Sequence, residues 1–165
     1  MREGQRRAMR LPQTGMAVTI DIGDANDIHP RNKQDVGIRL SRWALARDYG
    51  KNVVVSGPLY RNMRKEGNKI RIAFDHVGTG LTIGKKEGLA PAVETPRAEL
   101  RRFSIQDGAG QWRWAKARID GDTILVWHGE VADPKHVRLG YETNPAGINL
   151  YNKEGLPASP FTTEE

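Results

Sequence analysis

A histidine stands one short loop beyond an apolar run, in Asp24-Ala25-Asn26-Asp27-Ile28-His29-Pro30. Carboxylates flank it and a helical pattern follows it, which is how many hydrolases present a general base. An imidazole suits that work because its pKa of ~6.5 lies close to working pH. In open α/β sheets, loops at the carboxyl ends of strands line the active-site crevice. The matching nucleophile is not evident. The four serines, Ser41, Ser56, Ser104 and Ser159, include none on the strand-to-helix elbow that exposes an attacking hydroxyl. No cysteine is present to serve instead.

The elements that must position His29 are brief. Arg2 to Leu11 has the pattern of an amphipathic helix closed by Pro12. Met16 to Ile22 is a β-branched run between Gly15 and Gly23, without alternation, and predicts a strand covered on both faces. Asn32 to Tyr49 predicts a helix, with Val36, Leu40, Trp43, Ala44 and Arg47 at helical spacing and Asp48-Tyr49-Gly50 as its stop. Helix, strand and helix read as the last unit of a doubly wound α/β domain. A single strand would leave its backbone groups unpaired along both edges.

From about Val53 the pattern changes. Ile70, Ile72 and Phe74 alternate with charged residues, and Trp112 and Trp114 lead into a second alternating run through Ile119. Asp120-Gly121-Asp122 joins that run to Thr123–Trp127 as a hairpin. Leu100 to Ile105 and Val137 to Tyr141 are further strand candidates, whereas Leu81 to Glu99 reads as an irregular connection. Short strands and Gly-rich turns indicate a β-sandwich. The expected architecture is therefore an α/β remnant over residues 1–50 followed by an all-β sandwich-like domain over 51–165.

Composition narrows the classes. With 165 residues, 38% hydrophobic and 28% charged, the chain reads as soluble and globular. No apolar run approaches the ~20 residues of a membrane span, so no membrane partner is expected. The formal charge of +6 is spread over small groups with acidic residues between them. That pattern argues for solvated surface charge and against nucleic-acid binding. His76, His128 and His136 are too widely spaced for a metal site. Trp112, Trp114 and Trp127 would suit either a sugar-stacking platform or core packing, and core packing is the expectation.

Three groups of residues together resemble the C-terminal part of sialate O-acetylesterases. They are Thr19 to Asp24 with Asp27 to Gln34, then Gly57-Pro58-Leu59-Tyr60, and then Val137 to Tyr141 with Asn149 to Asn152 and Gly155 to Phe161. The resemblance covers the chain from Leu11 onward. It implies an SGNH-type hydrolase domain, removal of acetyl groups from sugars by serine ester chemistry, and no cofactor. It further implies that His29 is the catalytic base, and that the serine, in a Gly-Gln-Ser-Asn-type motif with the oxyanion donors, lies on an upstream SGNH segment. A periplasmic or secreted parent enzyme follows from the same resemblance. Where the wider superfamily has an Asp three positions before its histidine, this chain has Asn26. Asp27 is taken as the orienting carboxylate, with Asp24, or a backbone carbonyl in a Ser-His dyad, as the alternatives. Two other functions remain open: a carbohydrate-binding accessory module without catalytic activity, and a non-catalytic protein that pairs with a separate partner.

Overall fold

The computed structural model describes residues 1–164. In chain order the helices are α1 (Arg2–Ala8) and α2 (Lys33–Arg47). The strands are β1 (Leu59–Glu66), β2 (Lys69–Asp75), β3 (Leu81–Lys85), β4 (Val93–Glu94), β5 (Phe103–Gln106) and β6 (Trp112–Trp114). They continue with β7 (Lys116–Asp120), β8 (Thr123–Trp127), β9 (His136–Leu139), β10 (Leu150–Asn152) and β11 (Phe161–Thr162). Antiparallel pairing groups them into sheets of order β1-β2-β8-β7, β10-β3-β4 and β11-β9-β5-β6. Among the described residues, no helix is long and apolar enough to cross a membrane.

Alternation builds the core. In β2, Ile70, Ile72 and Phe74 are buried while Lys69, Arg71 and Ala73 are less so, and β5 and β9 repeat the pattern with Phe103, Ile105, Val137 and Leu139 inward. These side chains join Leu81 and Ile83 of β3, Leu150 of β10 and Phe161 of β11 in one apolar cluster, so all three sheets share a core. Burying each such side chain contributes roughly 1.5–3 kcal/mol before conformational entropy is set against it. The Gly121-Asp122 turn closes the β7–β8 hairpin with Asp120 paired to Thr123, and Gly121 adopts φ 60°, a conformation that favours glycine.

Three expectations need correction. Leu81 to Glu99 contains β3 and β4 and is not simply an irregular connection; the apolar–polar alternation of β3 is confined to Leu81, Thr82 and Ile83, too short a run to stand out. Trp112, Trp114 and Trp127 lie outside the core cluster. The first two belong to an edge strand and pair with Gln106 and Ser104, which lie opposite to inward-facing Phe103 and Ile105.

The third correction concerns Met16 to Ile22, which forms no strand. Carbonyls in and just before this run, those of Thr14, Met16 and Val18, are bonded by a helix instead of by a neighbouring strand. Arg47 donates to the Thr14 carbonyl at 2.7 Å, the Trp43 indole N–H to that of Met16 at 3.0 Å, and Arg39 to that of Val18 at 2.6 Å. The match is geometric. Residues four apart on a helix rise ~6 Å, and alternate residues of an extended chain advance ~6.6 Å. Gly15 is required here, since a Cβ on it would stand 2.6 Å from Trp43 Cγ.

α2 forms where the sequence places it. The Asn32 side chain accepts from the Asp35 N–H at 3.0 Å as N-cap. At the other end the Asp48 and Tyr49 N–H groups both reach the Ala44 carbonyl, and Gly50 turns the chain with φ 62°. Its buried residues are Arg39 and Trp43, whereas Leu40, expected on the inner face, is 48% exposed.

Trp43 also meets the β region, packing edge-on against His76 at the end of β2 with centroids 5.6 Å apart. Burial lowers the His76 pKa from its ordinary 6.5; the Asp75 charge opposes the shift and Arg47 adds to it. Protonation therefore favours the unfolded chain. The His76 contribution to stability is complete above pH 6.5 and declines as pH falls from there through the lower folded-state value. His76→Asn, which tolerates the positive φ of 58° at this position, should flatten the stability–pH curve between about pH 7 and 5, as measured by urea unfolding of both proteins.

Candidate functional site

The loop from Gly23 to Arg31 is polar, and His29 at its far end is exposed. Its shape comes from its own carboxylates. Asp24 accepts from the Asn26 N–H at 2.9 Å, and Asp27 accepts from the His29 N–H at 2.8 Å. Both are turns in which an Asp side chain takes the place of a backbone carbonyl. Asp27 thus touches the backbone of His29. No described residue hydrogen-bonds to the His29 imidazole, so neither Asp27 nor Asp24 is joined to the ring in this structure.

The loop is held at both ends. At the start, Asp21 forms a bidentate pair with Arg39 of α2, at 2.6 and 2.8 Å, and the side chains are only 2% and 6% exposed. The Tyr151 hydroxyl of β10 donates to the same carboxylate at 3.2 Å. Burial, followed by the Asp21 charge and hydrogen bond, pushes the Tyr151 phenol far above its usual value, so it stays a donor at any physiological pH. At the far end, Asn32 donates to the Gly88 carbonyl at 3.0 Å and to Asp35 at 2.5 Å. Lys86 closes the set with an ion pair to Asp35 at 2.6 Å. Burial would raise the Asp35 pKa, but the Lys86 and Asn32 hydrogen bonds outweigh it and hold the carboxyl below its ordinary range. His29 therefore rides on a loop whose two ends are tied both to α2 and to the β region.

Below the start of this loop lies a cleft of about 1020 Å³. One wall is Met16 to Asp21 with Asp24 and Ala25, another is Gly84 to Lys86, and a third is the loop Thr143 to Asn149. Tyr151 contributes to its lining, whereas His29 does not. The serines stand apart from the histidine loop in their bonding. Ser41 donates to the Ile38 carbonyl within α2, and Ser159 is buried and donates to the Pro160 carbonyl. Ser56 is buried with its hydroxyl unpartnered, and Ser104 lies on β5. Among the described residues, no group of His, Asp and Glu could hold a metal ion. His128 accepts from the Glu130 N–H, and His136 meets Thr163.

Sequence reasoning found the loop and missed the residues that hold it. Asp21 carried a signal, as the one carboxylate inside an apolar run, and Arg39 another, as a cation one turn before Trp43 on the helix. Tyr151, 130 positions from Asp21, carried none.

No family model matches the chain. It is 28% identical over 167 aligned residues to the sialate O-acetylesterase of Rattus norvegicus, across 93% of this chain and 28% of that protein. A 55-residue stretch is 47% identical to the sialate O-acetylesterase of Mus musculus, covering 30% of this chain and 10% of that one. Among solved structures, the carbohydrate acetylesterase XAC1771 from Xanthomonas citri matches with a TM-score of 0.85 and 38% identity, over 97% of this chain and 34% of that one. The chain thus spans about a third or less of the length of the proteins it matches. It resembles the C-terminal part of a sialate O-acetylesterase, and the proteins it is similar to are carbohydrate esterases.

The buried pair makes a direct prediction. Asp21→Asn leaves the Arg39 guanidinium buried without a counter-charge and should cost about 3–5 kcal/mol of stability in urea unfolding. Replacing both partners, Asp21→Leu with Arg39→Met, should cost clearly less than the single change, because no charge is then stranded.

Proposed function

We propose that this chain is the base-bearing part of a carbohydrate O-acetylesterase, hydrolysing acetyl esters on sugars through serine-histidine chemistry. The observation that carries the reading is the 38% identity, over 97% of the chain, to a solved carbohydrate acetylesterase, joined to an exposed histidine on a loop anchored at both ends. In this proposal residues 1–50 are the C-terminal end of an SGNH-type domain and 51–165 a sandwich-like accessory domain. The nucleophilic serine and oxyanion donors lie on an upstream segment that packs against the first part. Support for such packing comes from α2, whose outer face exposes Ile38 (45%) and Leu45 (37%), with Tyr49 (70%) exposed just past the helix end.

His29 then removes the proton from the serine hydroxyl as it attacks the acetyl carbonyl. The same proton passes to the departing sugar alkoxide, leaving an acetyl-serine. His29 next deprotonates a water, which attacks the acyl group and frees acetate, and the proton returns to serine. Asp27 orients the ring in this scheme, a role that requires its carboxylate to serve the imidazole as well as the His29 N–H that it now accepts.

Two measurements test the proposal. In the protein extended upstream through the serine, His29→Ala should lower turnover of an aryl acetate by about two to four orders of magnitude, and Asp27→Asn and Asp24→Asn, made singly, identify the orienting carboxylate. Wild-type turnover in His29→Ala removes the residue from the mechanism. The 165-residue chain alone should show no turnover, because most of the rate enhancement resides in the nucleophile and oxyanion donors.

A further inference from the structure

We infer that Lys86 is a positioning residue for His29, holding the far end of the histidine loop through Asp35, Asn32 and the Gly88 carbonyl. The catalytic half of this inference rests on the esterase reading; the positional half does not. The loop gives His29 little support of its own. Ile28 beside it is 90% exposed, and no described residue hydrogen-bonds to the imidazole. The Asp27 carboxylate reaches the His29 backbone N–H and not its ring. The place of the imidazole is therefore set from the ends of the loop.

The far end is the nearer one to the histidine. Asp21 lies eight residues before His29, whereas Asn32 lies three after it. Three residues reach at most ~11 Å. Pro30 stiffens that short tie, because its ring fixes its own φ and restricts the preceding His29 backbone to extended conformations. The Arg31 carbonyl adds a bond, accepting from the Lys33 N–H at 2.9 Å. Where Asn32 is fixed, His29 is confined to a small region beside it.

Lys86 fixes Asn32. Its ammonium donates to the Gly88 carbonyl at 2.8 Å and pairs with Asp35 at 2.6 Å, and its side chain is only 4% exposed. The Asn32 amide nitrogen donates to the same carbonyl at 3.0 Å and to the same Asp35 oxygen at 2.5 Å. Lys86 and Asn32 thus share both acceptors, which leaves the Asn32 side-chain oxygen free to cap α2 through the Asp35 N–H. The neighbouring Lys85, 67% exposed and paired with Glu87, shows the ordinary behaviour of a surface lysine. A lysine covered as Lys86 is has given up its hydration and keeps its charge only with its partners in place, unlike an exposed pair that contributes little. Lys86 directly follows β3, which pairs with β10 in the shared core. The clamp therefore ties the histidine to the β region three residues away, at a place where α2 also begins.

The test has two arms. In the 165-residue chain, amide NMR relaxation reads backbone order at Ile28, His29 and Arg31, with Ile70 and Ile72 of β2 as the reference. Lys86→Met, which keeps the side-chain length and removes the charge, should lower the order parameters of the loop residues to below about 0.6, with Ile70 and Ile72 unchanged. Asn32→Ser keeps a capping oxygen for α2 but is too short to reach Gly88. It should loosen the loop in the same way, and it carries the test if Lys86→Met does not fold. Lys86→Arg, which keeps the charge, should restore most of the order. In the protein extended upstream through the serine, Lys86→Met and Asn32→Ser should lower kcat for an aryl acetate roughly ten- to hundredfold with KM unchanged, and Lys86→Arg should recover most of it. Wild-type order at His29 in the folded variants, an equal fall at Ile70 and Ile72, or wild-type kcat in both would overturn the inference. Wild-type turnover in His29→Ala would instead sink the esterase reading, and the relaxation arm would still decide whether Lys86 positions the loop.

Discussion

The buried pair of Asp21 and Arg39 is the constraint on which the first part of the structure depends. An ion pair this well covered is stable only when each oxygen and N–H has a partner. Here the guanidinium is shared between both Asp21 oxygens and the Val18 carbonyl, and the Tyr151 hydroxyl completes the carboxylate. One cluster therefore fixes the rotation of α2, the path of the segment before the histidine loop, and the contact with β10. Arg39 and Tyr151 meet at Asp21 from two different parts of the chain, so the histidine loop starts at a point where the helical and β regions are joined.

Helix α2 serves two purposes at once. Its side chains at four-residue intervals act as donors to an extended segment, a role usually filled by the backbone of a neighbouring strand. On its opposite side Ile38 and Leu45 stay exposed. A helix with one face committed to hydrogen bonding and another uncovered is consistent with the proposed packing against an upstream segment. The β region needs no such help, since its three sheets share a single apolar cluster.

The histidine loop and the Trp112–Arg138–Tyr141 stack differ in chemistry as well as in place. The histidine loop is polar, tied at its ends and shaped by Asx turns, which suits a group that must be presented at a set position. The Trp112–Arg138–Tyr141 stack is aromatic, with its guanidinium paired to Glu164. Edge strands usually avoid exposed aromatics, and here the guanidinium stacking keeps the rings ordered on such an edge.

Local patterns in the sequence determined much of this. Alternation at Ile70, Ile72 and Phe74 gave a strand because period two admits one buried face, and Asp120-Gly121-Asp122 gave a hairpin because glycine accepts positive φ. Asn32 and Gly50 bounded a helix through capping chemistry, and the spacing of Asp24, Asp27 and His29 located the loop. The tertiary structure alone decided where long-range partners meet. The apolar run Met16 to Ile22 reads as a strand by composition, yet a strand exists only if another strand pairs with it, and here α2 bonds its carbonyls. Trp112 and Trp114 read as core by size, yet their face depends on pairing register and on β6 lying at an edge. Tyr151 reaches Asp21 across 130 positions, a contact fixed by folding and invisible to any local window. Residue type and short-range spacing determine conformation through sterics and local hydrogen bonds; which faces are covered depends on what the whole chain brings beside them.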